Sequence, residues 1–449
     1  MTQILDQSDL TDRAAQLVEA ARKAGADAAD TICVRGVSLS VEMRLGKTEE
    51  TRRAEGDDFT LRAFVGKRSA TVSANVLADP AELAERAVAM ARVAPDDQFA
   101  GLADADRLAT DTESDALDLL DETVPPASEL TEAALAAEDA MRAVDGVTNS
   151  GGASAGWSLG GMVLATSHGF VGSYLASRFS LSASAIAGSG TAMERDYWYD
   201  MRTHKADLAA PEEIGRIAGE RTVRRLNPHQ YDTGTATVVF DPRVATGLIG
   251  NLAGAINGSA IARKTSFLRE KLGEAVFDAG VTITDDPFRR RGLASRPFDG
   301  EGVRPEALDL IKDGVLTTWL LDSATARELG LATNGHAGRH SGNPSPGSTN
   351  LTLLPGPKTP EALMAEIGDG LYITEMIGHG ANLVTGDYSR GAAGFAIRGG
   401  KLAEPVSEIT VAGNLTDMFR RLAPASDLEY RFSTNAPTVA IEGMTVAGR

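Results

Sequence analysis

The chain is poor in cysteine, in aromatic residues and in positive charge, and each shortage closes off a class of function. A single cysteine, Cys33, in 449 residues permits no internal disulfide and no cysteine cluster for zinc. Such usage fits a reducing cytoplasm. Aromatic residues make up only 5%, so small side chains must do much of the packing. Lysine and arginine number 44 against 62 acidic residues, a net charge of −18. That field repels phosphate backbones and anionic lipid, so no nucleic acid is expected as a direct partner. The opening MTQILDQSDL lacks the basic stretch and apolar core of a secretory signal, which also favours a cytoplasmic location.

Long apolar runs are missing too, with one ambiguous case. VATGLIGNLAGAINGSAIA, residues 244–262, is uncharged over nineteen residues and spaces Gly250, Gly254 and Gly258 four apart. Only eleven of the nineteen are Ala, Val, Leu or Ile, whereas a membrane span wants about twenty mostly strongly apolar positions. No membrane role is expected. Asp241-Pro242 is suited to start a helix there, Val244, Leu248, Leu252, Ile256 and Ala260 form an apolar row, and Asn257-Gly258 is placed to end or kink it. A helix with so small-sided a surface is expected to be buried in protein.

What is present reads as an α+β chain in several parts. The spacing of Leu10, Ala14, Leu17, Val18 and Ala21 predicts a helix ending at Gly25, and Asp79-Pro80 opens another that runs to Val93. Between them, ADTICVRGVSLSVEMRL and FTLRAFVGKRSATVSANVL alternate as strands do. Residues 1–98 are therefore expected to form a mixed α/β domain. An acidic stretch holding Asp104, Asp106, Asp111, Glu113 and Asp115, closed by Pro125-Pro126, reads as a linker or solvated crossover over 99–126. Residues 127–228 follow as a central α+β domain with helices at Ser128–Val144 and from Pro211, flanking a strand-rich run from Val147 to Arg202. From 229 to 449, short strands such as TATVVF, VTIT, LTTWLL, TNLTLL, LYITEM and EITVAG make a β-rich C-terminal domain.

Several residue groups could carry chemistry. GASAG, residues 152–156, matches the nucleophile-elbow pattern around Ser154, but WSLGGMVLATS follows where a helix should begin, so Ser154 is expected in a hairpin of small residues. His336 and His340 lie four apart in NGHAGRHSGNPSPGSTN. On a helix that spacing would serve a metal, but the glycines and prolines argue for a loop. That loop, with Arg339, Asn343 and Asn350, is a candidate substrate or interface element; metal binding and an inert exposed loop remain the alternatives. TGDYSRGAAGF groups Asp387, Tyr388 and Arg390 between glycines, either as a salt-bridged turn or as a peptide-contacting loop. Glu375 and His379 are expected to be structural, and His168, His204 and His229 have no evident constellation.

TVVFDPRVATGLIGNLAGAINGSAIARKTSFL, HSGNPSPGSTNL, VTGDYSRGAAGF, PVSEITVAGNLTDMF and PTVAIEGMTVAG together resemble the TldD/PmbA (TldD/TldE) metallopeptidase family, on its PmbA (TldE) branch, over nearly the whole chain. The resemblance implies a mixed α/β N-terminal region followed by a C-terminal domain with a strongly curved antiparallel sheet. In the TldD branch the corresponding helix carries H-E-x-x-x-H, two zinc-binding histidines and a general base; in this chain those places fall on Gly250, Asn251 and Ala255. A further cysteine ligand near the C-terminus has no counterpart in DLEYRFSTNAP. Glycine and alanine have no donor atom, and an asparagine amide takes no proton near neutral pH. The resemblance thus implies a non-catalytic subunit that binds no metal or cofactor itself. Zinc would reside in a TldD-like partner of a heterodimer acting on unfolded peptides. The alternatives are an independently active hydrolase using other residues, or a binding protein linked to DNA gyrase modulation.

Overall fold

The computed structural model describes residues 5–75, 78–339 and 342–449. Its first half is built on one antiparallel sheet. Helix α1 (Ser8–Lys23) buries Leu10, Ala14, Leu17, Val18 and Ala21 and ends before Gly25, whose φ of 99° suits a residue without a Cβ. Strands β1 (Ala28–Arg44) and β2 (Lys47–Val65) form a long hairpin, followed by β3 (Arg68–Asn75). Helix α2 (Pro80–Val93) is capped by Asp79, which accepts from the amides of Ala81 and Glu82. Then come α3 (Ala127–Arg142), β4 (Val147–Thr166), β5 (Val171–Ala187), β6 (Glu194–Arg202) and α4 (Pro211–Val223).

The six strands lie in the order β3-β2-β1-β4-β5-β6. β1 pairs with β4 from Asp30↔Thr166 to Met43↔Ala153, so the segments 1–98 and 127–228 share one continuous sheet. Strand alternation sorts its residues. Cys33, Val37, Leu39 and Val41 of β1 are buried with side chains of the four helices. Ile32, one step out of phase, packs with Leu164, Phe170 and Phe298 toward the second half of the chain. Glu138, fully buried on α3, accepts from the amides of Leu45 (2.6 Å) and Gly46 (2.8 Å) and so fastens the tip of the β1–β2 hairpin. The acidic stretch 99–126 is not a free linker. It buries Leu102, Ala109, Leu117 and Leu119, and Asp118 pairs with Arg290 and Arg291.

The second half contains β7 (Gly234–Phe240), α5 (Pro242–Ala255), α6 (Gly258–Ala262), β8 (Ile283–Asp285), β9 (Leu308–Lys312), β10 (Val315–Leu316), α7 (Ser323–Leu329), β11 (Ala337–Gly338), β12 (Ser345–Pro346), β13 (Leu351–Leu353), α8 (Pro360–Ile367), β14 (Gly370–Ile377), β15 (Asp387–Arg398), β16 (Lys401–Asn414), α9 (Leu415–Arg420), β17 (Leu422–Pro424), β18 (Thr434–Asn435) and β19 (Val439–Ala447). The larger sheet runs β16-β15-β14-β7-β19-β17, and β16 also pairs with β19. The curved sheet therefore curls back on itself. Only its β7–β14 pairing is parallel. A smaller sheet, β10-β9-β8-β13-β18, lies on the other side of α5, which packs on β7 and β14 as well as on β13 and β18.

The uncharged run 244–262 is two helices. α5 ends at Ala255; Asn257 then caps α6 by accepting from the Ser259 amide at 3.0 Å, while its own amide group donates to the Pro346 carbonyl at 2.7 Å. Gly258 is required there, because a Cβ would stand 2.8 Å from the Leu320 carbonyl oxygen. No helix among the described residues is long and apolar enough to cross a membrane. LTTWLL departs from the expected strand after Leu316. The Leu320 amide bonds to Ile256 and the Trp319 carbonyl to Asn334, so these groups are taken by loops.

Candidate functional site

α5 is placed by its first turn. Asp241 accepts from the Arg243 amide at 3.1 Å and is held by Arg221 (3.1 Å) and the Tyr372 hydroxyl (3.3 Å). Its apolar row Ala245, Leu248, Ile249, Leu252 and Ala255 is buried between the two sheets. The three positions of the expected lost site differ. Gly250 is exposed, and a Cβ there would meet nothing within 4 Å; Asn251 is half-buried; Ala255 is fully enclosed. One turn on, a Cβ at Gly254 would approach Leu383 Cδ1 at 2.8 Å, where the 378–386 loop rests on the helix.

β18, from the DLEYRFSTNAP stretch, packs beside α5. Asn435 organises it, accepting from the amides of Arg431 (2.9 Å) and Phe432 (3.0 Å) and donating to the Phe432 carbonyl (2.8 Å). Two of the three helix positions have no donor atom, and the neighbouring strand has no thiol. These residues do not fit a tetrahedral zinc site. Among the described residues no group of three or more His, Cys, Asp or Glu is arranged to hold a metal.

The 336–350 loop is fastened to the protein through most of its candidate residues. His336 is fully buried, with Nδ1 3.0 Å from the Asn334 carbonyl and Nε2 3.5 Å from Asp285 Oδ1. Asp285 is itself engaged by the Thr349 amide at 2.7 Å. Arg339 reaches across to β1, donating to Asp30 at 2.9 Å and to the Gly342 carbonyl at 3.0 Å. Asn343, exposed, accepts from Thr71 Oγ1 of β3 at 2.7 Å. Asn350 donates to the Asp286 carbonyl and to Ser295 Oγ, both at 2.7 Å, and accepts from the Ala294 amide at 3.1 Å. His340 lies outside the described residues, so the His336/His340 pair is not defined. His336, Arg339 and Asn350 are thus occupied in internal contacts.

Asp387, Tyr388 and Arg390 lie on β15. Asp387 is exposed and accepts from Thr385 Oγ1 (2.7 Å) and Asn414 (3.2 Å), a turn-stabilising role. Tyr388 is buried in the same core as α5; burial pushes its phenol up to about 12, against the opposing influence of Arg390. Glu375 is structural, paired with Arg225 at 2.5 Å, while His379 is exposed in the turn after β14. Ser154 lies inside the β4–β5 hairpin, opposite Glu42 and Ser182, with no following helix to make a nucleophile elbow.

Sequence reading missed three groupings. His204 meets Asp118, with Nε2 3.2 Å from Oδ1. Asp196 and Asp241 gather Arg221 and Arg243 at the start of α5, with Arg243 3.2 Å from Asp196. Asp299, Glu301 and Asp322 are buried together near Arg62. Each grouping draws on partners far apart in the chain, such as Asp118 with His204 or Arg62 with Asp322, and only the abundance of Asp and Arg hinted at them.

A curved sheet that closes on itself through β16 and β19 packs on α5 and is joined to a six-stranded sheet under four helices, an arrangement that can be compared with known proteins. Residues 233–448 match the PmbA/TldA metallopeptidase C-terminal domain, 121–226 its central domain and 29–91 its domain 1. The chain belongs to the PmbA/TldD metallopeptidase family. It is 38% identical over 427 residues to metalloprotease PmbA of Escherichia coli O157:H7, covering 94% of this chain and 93% of that protein. A candidate modulator of DNA gyrase from Bacteroides thetaiotaomicron superposes with a TM-score of 0.90 at 29% identity, over 99% of this chain and all of that one. TldE from Thermococcus kodakarensis has a TM-score of 0.85 at 19% identity, covering 97% and 99% of the two chains, a likeness of fold.

Proposed function

We propose that this chain is the non-catalytic, TldE-type subunit of a cytoplasmic zinc metalloprotease, shaping a substrate chamber for a TldD-like partner that supplies the metal. The observation that carries this reading is the set of residues Gly250, Asn251 and Ala255, which offers neither a pair of metal ligands nor a proton acceptor on α5. Zinc hydrolysis needs about three protein ligands to keep both metal and water in place, so this helix supports no partial activity by that route. The substrate class is an unfolded peptide, bound as an added strand through main-chain hydrogen bonds with little side-chain preference. The exposed Asn343, Asp387 and the 378–386 loop are the candidate contacts on this chain. A separate hydrolase built on His336 or Ser154 is disfavoured by the burial of the first and the strand setting of the second.

The test is to purify the chain alone and together with a TldD-like protein, measure bound zinc, and assay cleavage of an unstructured peptide. Zinc and cleavage should appear only with the partner. Zinc-dependent cleavage by this chain alone would overturn the proposal.

A further inference from the structure

The first half of β2 escaped the sequence reading because it has no apolar alternation: KTEETRRAE, residues 47–55, holds six charged residues and no large apolar one. The structure makes it a strand. β1 pairs with one of its edges from Arg44↔Lys47 through Val37↔Glu55, with one extra β2 residue, Glu49, bulged between Thr48 and Glu50. β3 covers the other edge of β2 only from Asp58 to Val65. Among the described residues, no strand lies along that edge between Lys47 and Glu55, and every residue from Lys47 to Gly56 is exposed. An uncovered edge is a template for another strand, and charged side chains decide which strand can use it.

The order of those charges is specific. From Lys47 to Glu55 they run plus, neutral, minus, minus, neutral, plus, plus, neutral, minus. Read backwards with every sign inverted, the pattern returns unchanged about Thr51. The segment is also neutral overall, within a chain of net charge −18.

We propose that two copies of this chain pair antiparallel through this edge, around a two-fold axis at Thr51, so that the two six-stranded sheets become continuous. In that register Glu50 faces Arg52 of the other copy, and the reverse; past the bulge, Glu49 lies toward Arg53 and Lys47 toward Glu55, again opposite in sign. Directly opposed residues share a face of the sheet, where opposite charges stabilise and like charges destabilise. The adjacent symmetric registers fail on that count. Centring on Arg52 sets Arg52 against itself and Glu49 against Glu55; centring on Glu50 sets Glu50 against itself and Lys47 against Arg53. A strand polar on both faces ordinarily has a poorly fixed register, and here the charge order supplies one. The contact is isologous, so it closes at two copies. The Arg52–Glu50 pair within one chain, at 2.9 Å, is exposed and weak, so it can be exchanged or shared. None of the residues involved belongs to the proposed peptidase role, so the two readings stand or fall separately.

Sedimentation of the full chain without partner, over a range of about 1 to 100 μM, tests the pairing. A dimer should form with concentration and weaken with added salt, as screening of exposed charges requires. Arg52→Glu, which opposes Glu50 with a like charge twice per dimer, should raise the dissociation constant at least tenfold, and Glu50→Arg with Arg52→Glu should restore it. Thr51→Cys in the otherwise native chain should give a symmetric intermolecular disulfide on mild oxidation, because residues facing each other in an antiparallel pair fall within disulfide reach. Cys33 is fully buried and offers no competing thiol. A chain that stays monomeric throughout, a dimer indifferent to Arg52→Glu, or Thr51→Cys that fails to cross-link would each overturn the proposal.

Discussion

Arg339 donates to Asp30 at 2.9 Å with both side chains withdrawn from solvent, tying the loop after β11 to the first strand of the six-stranded sheet. Burial pushes the Asp30 carboxyl up, but Arg339 and Arg62 more than offset this and hold it below the ordinary carboxylate range. The stability this contributes is present above the carboxylate's unfolded value and lost as pH falls through the lower folded value. Arg339→Met should cost about 3 kcal/mol, because one of the two cations compensating a buried anion is removed. Urea unfolding near neutral pH is the measurement. A loss under about 0.5 kcal/mol, the size expected of an exposed pair, would show that the contact is not buried in solution.

Glu301 gives pH dependence of the opposite sign. Burial pushes its carboxyl up to about 7, Asp299 and Asp322 add to the shift, and Arg62 opposes it. Burial raises the neighbouring Asp299 carboxyl as well, but Arg296 and the amides of Glu301, Val303 and Ala337 oppose that and favour its ionised form, so of the two Glu301 is the better holder of the shared proton. Its ordinary value is 4.5, so the native state holds a proton that the unfolded state has lost between there and about 7. Stability from this group therefore falls as pH rises through that window and is level above it. Glu301→Gln should remove the fall. The variant should gain on the native chain by up to about 3 kcal/mol between roughly pH 5 and pH 8, read from denaturation midpoints. A gap that stays constant with pH would contradict the assignment.

Gly250 has open space where a Cβ would go, within a regular helix. Gly250→Ala should stabilise by up to about 1 kcal/mol through helix propensity. Ala255→His, in contrast, forces an imidazole into a closed core and should cost about 3 kcal/mol. Thermal unfolding of the two single variants should move in opposite directions. Equal and opposite-to-expected shifts would mean that the two faces of α5 are misassigned.

His336 is enclosed beside Asp285 and bonded to the Asn334 carbonyl. His336→Ala should therefore act on stability, by about 2 kcal/mol from the lost packing and hydrogen bond. Peptide cleavage by the two-chain complex, per folded molecule, should be unchanged. A tenfold loss of cleavage with folding intact would show that the imidazole reaches substrate.

Local signals were the ones legible in the sequence. Asp79-Pro80 marks the start of α2, Gly25 lies just beyond the end of α1, and Asn257-Gly258 divides the uncharged run, because caps and turns depend on residues a few places apart. The charged half of β2 was not legible, since its strand conformation comes from pairing with β1 rather than from any alternation of its own. LTTWLL reads as a strand but gives its backbone groups to Ile256 and Asn334, partners invisible in a local window. Within the site, the residues on α5 were identified by resemblance. The burial of His336 and the Arg339–Asp30 contact depend on long-range placement that spacing does not encode.

Glu138 gives the long hairpin a mechanical character. With β1 paired to β4 as far as Met43 and the tip clipped to α3 through the amides of Leu45 and Gly46, the β1–β2 hairpin behaves as a beam supported along one side and at its end. Nine exposed residues on a loose flap would pay a large ordering cost to meet any second strand. On a supported beam their spacing is set beforehand, so Glu138→Ala should soften the far end of the ribbon without touching a single exposed charge.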